Sequence, residues 1–143
     1  MASAHRSAES AANMCGHLAV RIAAMYSAQL LDHFQNPRNA GEVPGADAVA
    51  EIENPVCGDV LRLTLKMGAE RVEEIRFRAK GCVAAMACAS ALTELVAGKT
   101  VPECRRFTFD DLVAAVGGLP QGSAHAAQLA LDALAAGLRQ HKP

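Results

Sequence analysis

The stretch that decides the fold is Asp59-Val60-Leu61-Arg62-Leu63-Thr64-Leu65-Lys66-Met67-Gly68, followed by Val72-Glu73-Glu74-Ile75-Arg76-Phe77-Arg78-Ala79-Lys80-Gly81-Cys82. Leu61, Leu63, Leu65 and Met67 alternate with Val60, Arg62, Thr64 and Lys66. A period of two puts the first set on a buried face and the second on a solvated one. Ile75, Phe77 and Ala79 alternate in the same way with Glu74, Arg76 and Arg78. The short loop at Gly68 joins the two runs into an antiparallel hairpin. After Gly81 the pattern changes. Val83 to Ala97 is rich in Ala, Met and Leu and ends at Gly98. It reads as a mostly buried helix that starts at Cys82 and stops at a glycine.

Outward from this core, Val49 to Glu53 reads as a first strand ended by Pro55. Tyr26 to Phe34 reads as an amphipathic helix, with Tyr26, Leu30, Leu31 and Phe34 on one face. Asn36-Pro37-Arg38-Asn39 and Gly41 stop it. His33 is expected as an exposed or C-terminal helix histidine. On the other side, Pro102 opens a short helical turn. Thr108 caps a helix reaching Val116, and Gly117-Gly118-Leu119-Pro120 breaks it. Ser123 is expected to cap a last helix running to about Leu138. The expected class is α+β: a small antiparallel three-stranded sheet with helices packed on one face. Residues 1–24, rich in Ala and Ser, read as an N-terminal extension ahead of a domain over residues 25–143.

Composition narrows the function. The formal net charge is −1, so no basic stripe calls for nucleic acid. No apolar run approaches the roughly 20 residues that cross a bilayer, so no membrane partner is expected. Aromatic residues are few, and the core must be built from Ala, Leu, Val, Ile and Met. Five cysteines stand at positions 15, 57, 82, 88 and 104. The odd number and irregular spacing argue for free or metal-bound thiols in a reducing, cytoplasmic setting rather than a disulfide framework.

Two of these cysteines adjoin glycines at chain reversals, in Asn54-Pro55-Val56-Cys57-Gly58-Asp59 and in Lys80-Gly81-Cys82. Cys82 falls at a helix N-terminus two residues after Lys80, which by sequence alone should lower its thiol pKa. His125 lies in the first turn of the last helix. If three reversals converge, Cys57, Asp59, Cys82 and His125 form a ligand set suited to tetrahedral zinc or to iron in a sulfur-rich site. None of the spacings is the close CxxC or HxxxH kind, and taken singly each residue has an ordinary structural role. Cys88 lies six residues past Cys82, about 600° around a helix, and faces elsewhere. Cys88 and Cys104 read as small buried hydrophobes. A Cys82–His125 nucleophile and base pair is the enzyme reading, less well suited to glycine-flanked cysteines beside an aspartate.

The opening Tyr26-Ser27, Asp32-His33-Phe34, Asn36-Pro37-Arg38-Asn39 and Gly41 resembles that of the IscU/NifU-type iron–sulfur cluster scaffold proteins. So do Cys57-Gly58-Asp59, the run from Phe77 to Gly81-Cys82, and Gly98-Lys99. The resemblance covers about residues 25 to 140. It implies a scaffold or carrier rather than an enzyme, binding iron, zinc or a transient 2Fe-2S cluster through Cys57, Asp59, Cys82 and His125. It also implies sulfur from a cysteine desulfurase, iron from an iron donor, and delivery to apo-protein recipients. One position departs. Where the family shows His-Cys at the head of the last helix, this chain has His125-Ala126. The family's third cysteine receives sulfur and ligates the cluster, and a methyl group does neither. The family's Leu-Pro-Pro-Val-Lys chaperone segment is matched only in part by Leu119-Pro120-Gln121-Gly122-Ser123. The alternative is a degenerate scaffold paralogue that holds zinc or iron and docks on or regulates a desulfurase without building clusters.

Overall fold

The structure, a computed structural model, describes residues 26–55 and 58–140. The extension expected over residues 1–24, with Cys15, lies outside the described residues, and so does Cys57. The elements are α1 (Ala28–Gln35), β1 (Ala48–Glu53), β2 (Val60–Met67), β3 (Val72–Lys80), α2 (Val83–Val96), α3 (Val101–Arg105), α4 (Phe109–Ala115) and α5 (Ala124–Arg139). The three strands form one antiparallel sheet in the order β1-β2-β3.

The alternation works as its period requires. Leu61, Leu63, Leu65, Ile75 and Phe77 are buried at 3% exposure or less. They face α2, which packs on β3, and α5, which packs on β1 and β2. Fully burying each such side chain contributes roughly 1.5–3 kcal/mol. The helices lie close because the facing residues are small: Ala84, Ala87 and Ala91 on α2, Ala130 and Ala133 on α5, all buried. On α5, a Cβ added at Gly137 would come 3.0 Å from Leu65 Cδ1, so this glycine marks where helix meets sheet.

Three local expectations are corrected. Thr64, assigned to the solvated face, is 3% exposed, because the Val43 N–H donates to its Oγ1 at 2.9 Å and the incoming chain covers it. His33, expected as an exposed or C-terminal helix histidine, does lie in the last turn of α1 but is 8% exposed. Its Nδ1 lies 2.9 Å from Ser90 Oγ, which also accepts the Arg38 N–H at 2.8 Å. Asn39 Nδ2 donates to Thr93 Oγ1 at 3.1 Å. The Asn-Pro-Arg-Asn turn is thus pinned to α2, and it runs on to shield the β3 edge, where the Phe77 N–H donates to Asn39 O and the Gly41 N–H to Phe77 O. Ser123 occupies the N-cap position of α5, but its side chain makes no capping bond. Thr100 and Thr108 do form capping boxes, with Glu103 and Asp111.

Candidate metal centre

Antiparallel register assembles the first half of the site. Val60 pairs with Lys80, so the residues just before β2 and just after β3 are neighbours. Those residues are Asp59 and Gly81-Cys82. The loop before β2 is closed by the Asn54 N–H donating to Asp59 O and the Gly58 N–H donating to Asn54 O, each at 2.7 Å. Asp59 is 5% exposed. Its carboxylate lies beneath Gly81, where an added Cβ would fall 2.3 Å from Oδ1. Gly81 has φ +154°, so both conformation and contact call for glycine.

Cys82 is the N-cap of α2, and its sulfur accepts the Ala85 N–H at 3.4 Å in the place a serine hydroxyl would take. Its Sγ donates to Asp59 Oδ2 at 3.4 Å. The second half of the site comes from α5. Packing against α2 and the sheet brings its first turn to the same end, where His125 Nε2 lies 3.4 Å from Asp59 Oδ2. The ligand atoms of Asp59, Cys82 and His125 all lie within 4.8 Å of one another. They are the one such group among the described residues.

The spacing bears on what fits. With Zn–S near 2.3 Å and Zn–N or Zn–O near 2.0–2.2 Å, the edges of a tetrahedral site are roughly 3.3–3.8 Å. Both 3.4 Å separations about Asp59 Oδ2 fall in that range. A thiolate, a carboxylate and an imidazole suit zinc or ferrous iron alike.

The electrostatics overturn the expectation for Cys82. Its thiol pKa is raised, chiefly by burial and further by the Asp59 carboxylate; the amides of Ala85 and Ala84 pull it down only in part. Burial and a facing carboxylate thus outweigh the helix N-terminus. A bound cation reverses the balance by supplying the positive charge that the pocket lacks.

Of the other thiols, Cys88 is 0% and Cys104 2% exposed. Burial pushes their pKa up to about 12 and about 11. Cys104 faces the Val96 carbonyl. Neither joins the site, and for Cys88 the helical offset from Cys82 anticipates this. Ala126, the residue after His125, is 1% exposed and packs into the core. A cavity of about 250 Å³ adjoins His125, lined among others by Ile52, Glu53, Pro55 and Asp132. A larger groove of about 410 Å³, beside Cys104 and Leu134, has none of Asp59, Cys82 and His125 in its lining. One contact that the sequence did not signal is that between His125 Nδ1 and the Gly122 carbonyl, at 3.1 Å.

Comparison with known proteins identifies the family. The chain is 46% identical over 110 residues to the "Iron-sulfur cluster assembly scaffold protein IscU 1" of Archaeoglobus fulgidus, spanning 77% of this chain and 72% of that one. It is 37% identical over 118 residues to the IscU scaffold protein of Aquifex aeolicus, spanning 81% of this chain and 75% of the other. Among solved structures, the N-terminal part of a nitrogen-fixing NifU-like protein from Brucella abortus superposes with a TM-score of 0.67 at 25% identity, covering 81% of this chain and 93% of that one. Residues 25–143 match the family described as the NifU-like N terminal domain, and the chain belongs to that family.

Proposed function

We propose that this protein is an iron–sulfur cluster assembly scaffold, with Cys57, Asp59, Cys82 and His125 as the ligands of its cargo. The observation that carries the proposal is the meeting of Asp59, Cys82 and His125 at one end of the sheet, within 4.8 Å of one another and with the two edges about Asp59 Oδ2 of tetrahedral length. The names of the A. fulgidus and A. aeolicus relatives support it. Cys57 is proposed as the fourth ligand because it stands two residues before Asp59 in the loop between β1 and β2. The cargo is iron together with sulfide, as a 2Fe-2S cluster built and released, and zinc can hold the same ligands. Oxygen and imidazole ligands grip a cluster less firmly than four thiolates, which suits transfer to apo-proteins.

Sulfur arrives from the persulfide of a cysteine desulfurase. The thiolate of Cys82 or Cys57 attacks the terminal sulfur of that persulfide; a new S–S bond forms on that cysteine, the donor's S–S bond breaks, and the donor leaves as its thiolate. Cys82 or Cys57 takes this role because Cys88 and Cys104 are buried away from the site and position 126 holds a methyl group.

That methyl group also favours a second reading, in which the protein holds zinc or ferrous iron and docks on a desulfurase without completing clusters. Anaerobic reconstitution with ferrous iron, cysteine and a desulfurase separates the two. A visible chromophore that is lost in Cys57→Ala and in Cys82→Ala establishes assembly. Stoichiometric zinc with no chromophore in the wild type, and a chromophore gained in Ala126→Cys, establishes the second reading.

A further inference from the structure

An imidazole offers two nitrogens, and a ligating histidine must commit one of them. Here the backbone makes the choice. His125 Nδ1 lies 3.1 Å from the carbonyl oxygen of Gly122. A carbonyl only accepts, so Nδ1 carries the proton in that contact. The opposite nitrogen, Nε2, is the one turned to Asp59, whose Oδ2 also accepts from Cys82. We infer that the Gly122 carbonyl is a positioning group that holds His125 as the Nδ1–H tautomer, orients its ring, and dedicates Nε2 to the metal.

The turn before α5 is shaped for this contact. Gly122 has φ +93°, a conformation strained for any L side chain, yet no atom stands within 4 Å of where a Cβ would sit. The demand for glycine is therefore conformational, and what that conformation aims is the carbonyl. Ser123, next in line, contributes no side-chain cap. Its N–H donates to Pro120 O and its carbonyl accepts the Ala126 N–H, each at 3.0 Å, so the backbone is fixed on both sides of Gly122 O. A second group that orients a ligating histidine is a recurrent need of metal sites. Here a loop residue of this chain supplies it.

The inference rests on the metal-centre reading, and its test separates the two. Long-range nitrogen–proton NMR of the 15N-labelled full chain at mildly alkaline pH reports the tautomer directly. Nδ1–H is expected in the metal-free protein, and zinc should shift Nε2, the nitrogen that faces Asp59, while leaving Nδ1–H in place. Gly122→Ala should mix the tautomers and weaken zinc binding about 10- to 100-fold, the usual loss when an orienting partner is disturbed, with the sheet amide resonances unmoved. Gly122→Asn, which tolerates positive φ better, should lose less. A bare Nδ1 in the metal-free protein, zinc on Nδ1, or unchanged affinity in Gly122→Ala overturns the inference. If Gly122→Ala does not fold, the wild-type spectrum decides by itself. Nδ1–H in a protein that takes up no zinc refutes the metal centre, and with it the ligand role of Nε2, so the two failures read differently.

Discussion

Gly81→Ala is the substitution whose effect follows most directly from the geometry. The new Cβ would lie 2.3 Å from Asp59 Oδ1, 2.6 Å from Cγ and 2.9 Å from Cβ. Real Cβ contacts do not fall below 3.0 Å, so the carboxylate oxygen must retreat by at least 0.7 Å. It has little room to do so, since the residue is 5% exposed. The backbone adds a cost of its own, because φ +154° is strained for alanine, on the order of 1–3 kcal/mol. For a domain of this size that corresponds to a loss of roughly 4–12 °C in Tm. The displacement matters more to the site than the strain does. Metal–ligand distances tolerate only about 0.2 Å, so zinc affinity should fall at least tenfold. Gly58→Ala is the matched control: φ is +74°, but nothing lies within 4 Å of its Cβ position, so strain is added without pushing on Asp59. Zinc competition titrations and thermal melts on both variants give the comparison. If Gly81→Ala binds zinc as tightly as Gly58→Ala does, the placement of the Asp59 carboxylate beneath Gly81 is refuted.

Three further outcomes follow. In metal-free protein, mass-mapped alkylation should modify Cys82 well before Cys88 and Cys104, whose thiols are buried and pushed up to about 12 and about 11; equal rates would contradict the burial. The pKa of His33 is lowered from 6.5, chiefly by burial and further by Arg38, against the opposing pull of Glu94 and Asp32. The unfolded chain therefore binds the proton more readily, and the stability contributed by neutral His33 is complete above about pH 6.5 and lost as pH falls toward the folded value. Denaturant melts from pH 7.5 to 5.5 should show this loss in wild type and a smaller one in His33→Gln. Ser90→Ala strips the Arg38 N–H and His33 Nδ1 of their shared partner and should cost about 1–3 kcal/mol, read in the same melts without a change in zinc affinity.

The chain's own order of residues determined the elements, because each of them obeys a local rule. Leu61, Leu63 and Leu65 alternate with polar neighbours; Thr108 with Asp111 announces a helix start; Gly81-Cys82 marks a strand giving way to a helix. The family resemblance named the ligands by position, as expectations. What only the folded structure decided is everything that depends on residues far apart in sequence. Asp59 and Cys82 meet because Val60 pairs with Lys80, and His125 joins them because α5 packs across β1, β2 and α2. The same holds for the corrections. Thr64 is covered by Val43, and His33 is taken in by Ser90. The Cys82 thiol is raised because solvent exclusion and an aspartate 23 residues away in sequence outweigh a helix end and a lysine that the sequence places beside it. Periodicity acts over a few residues, whereas burial and through-space charge act over a few ångströms, and only the tertiary fold converts one distance into the other.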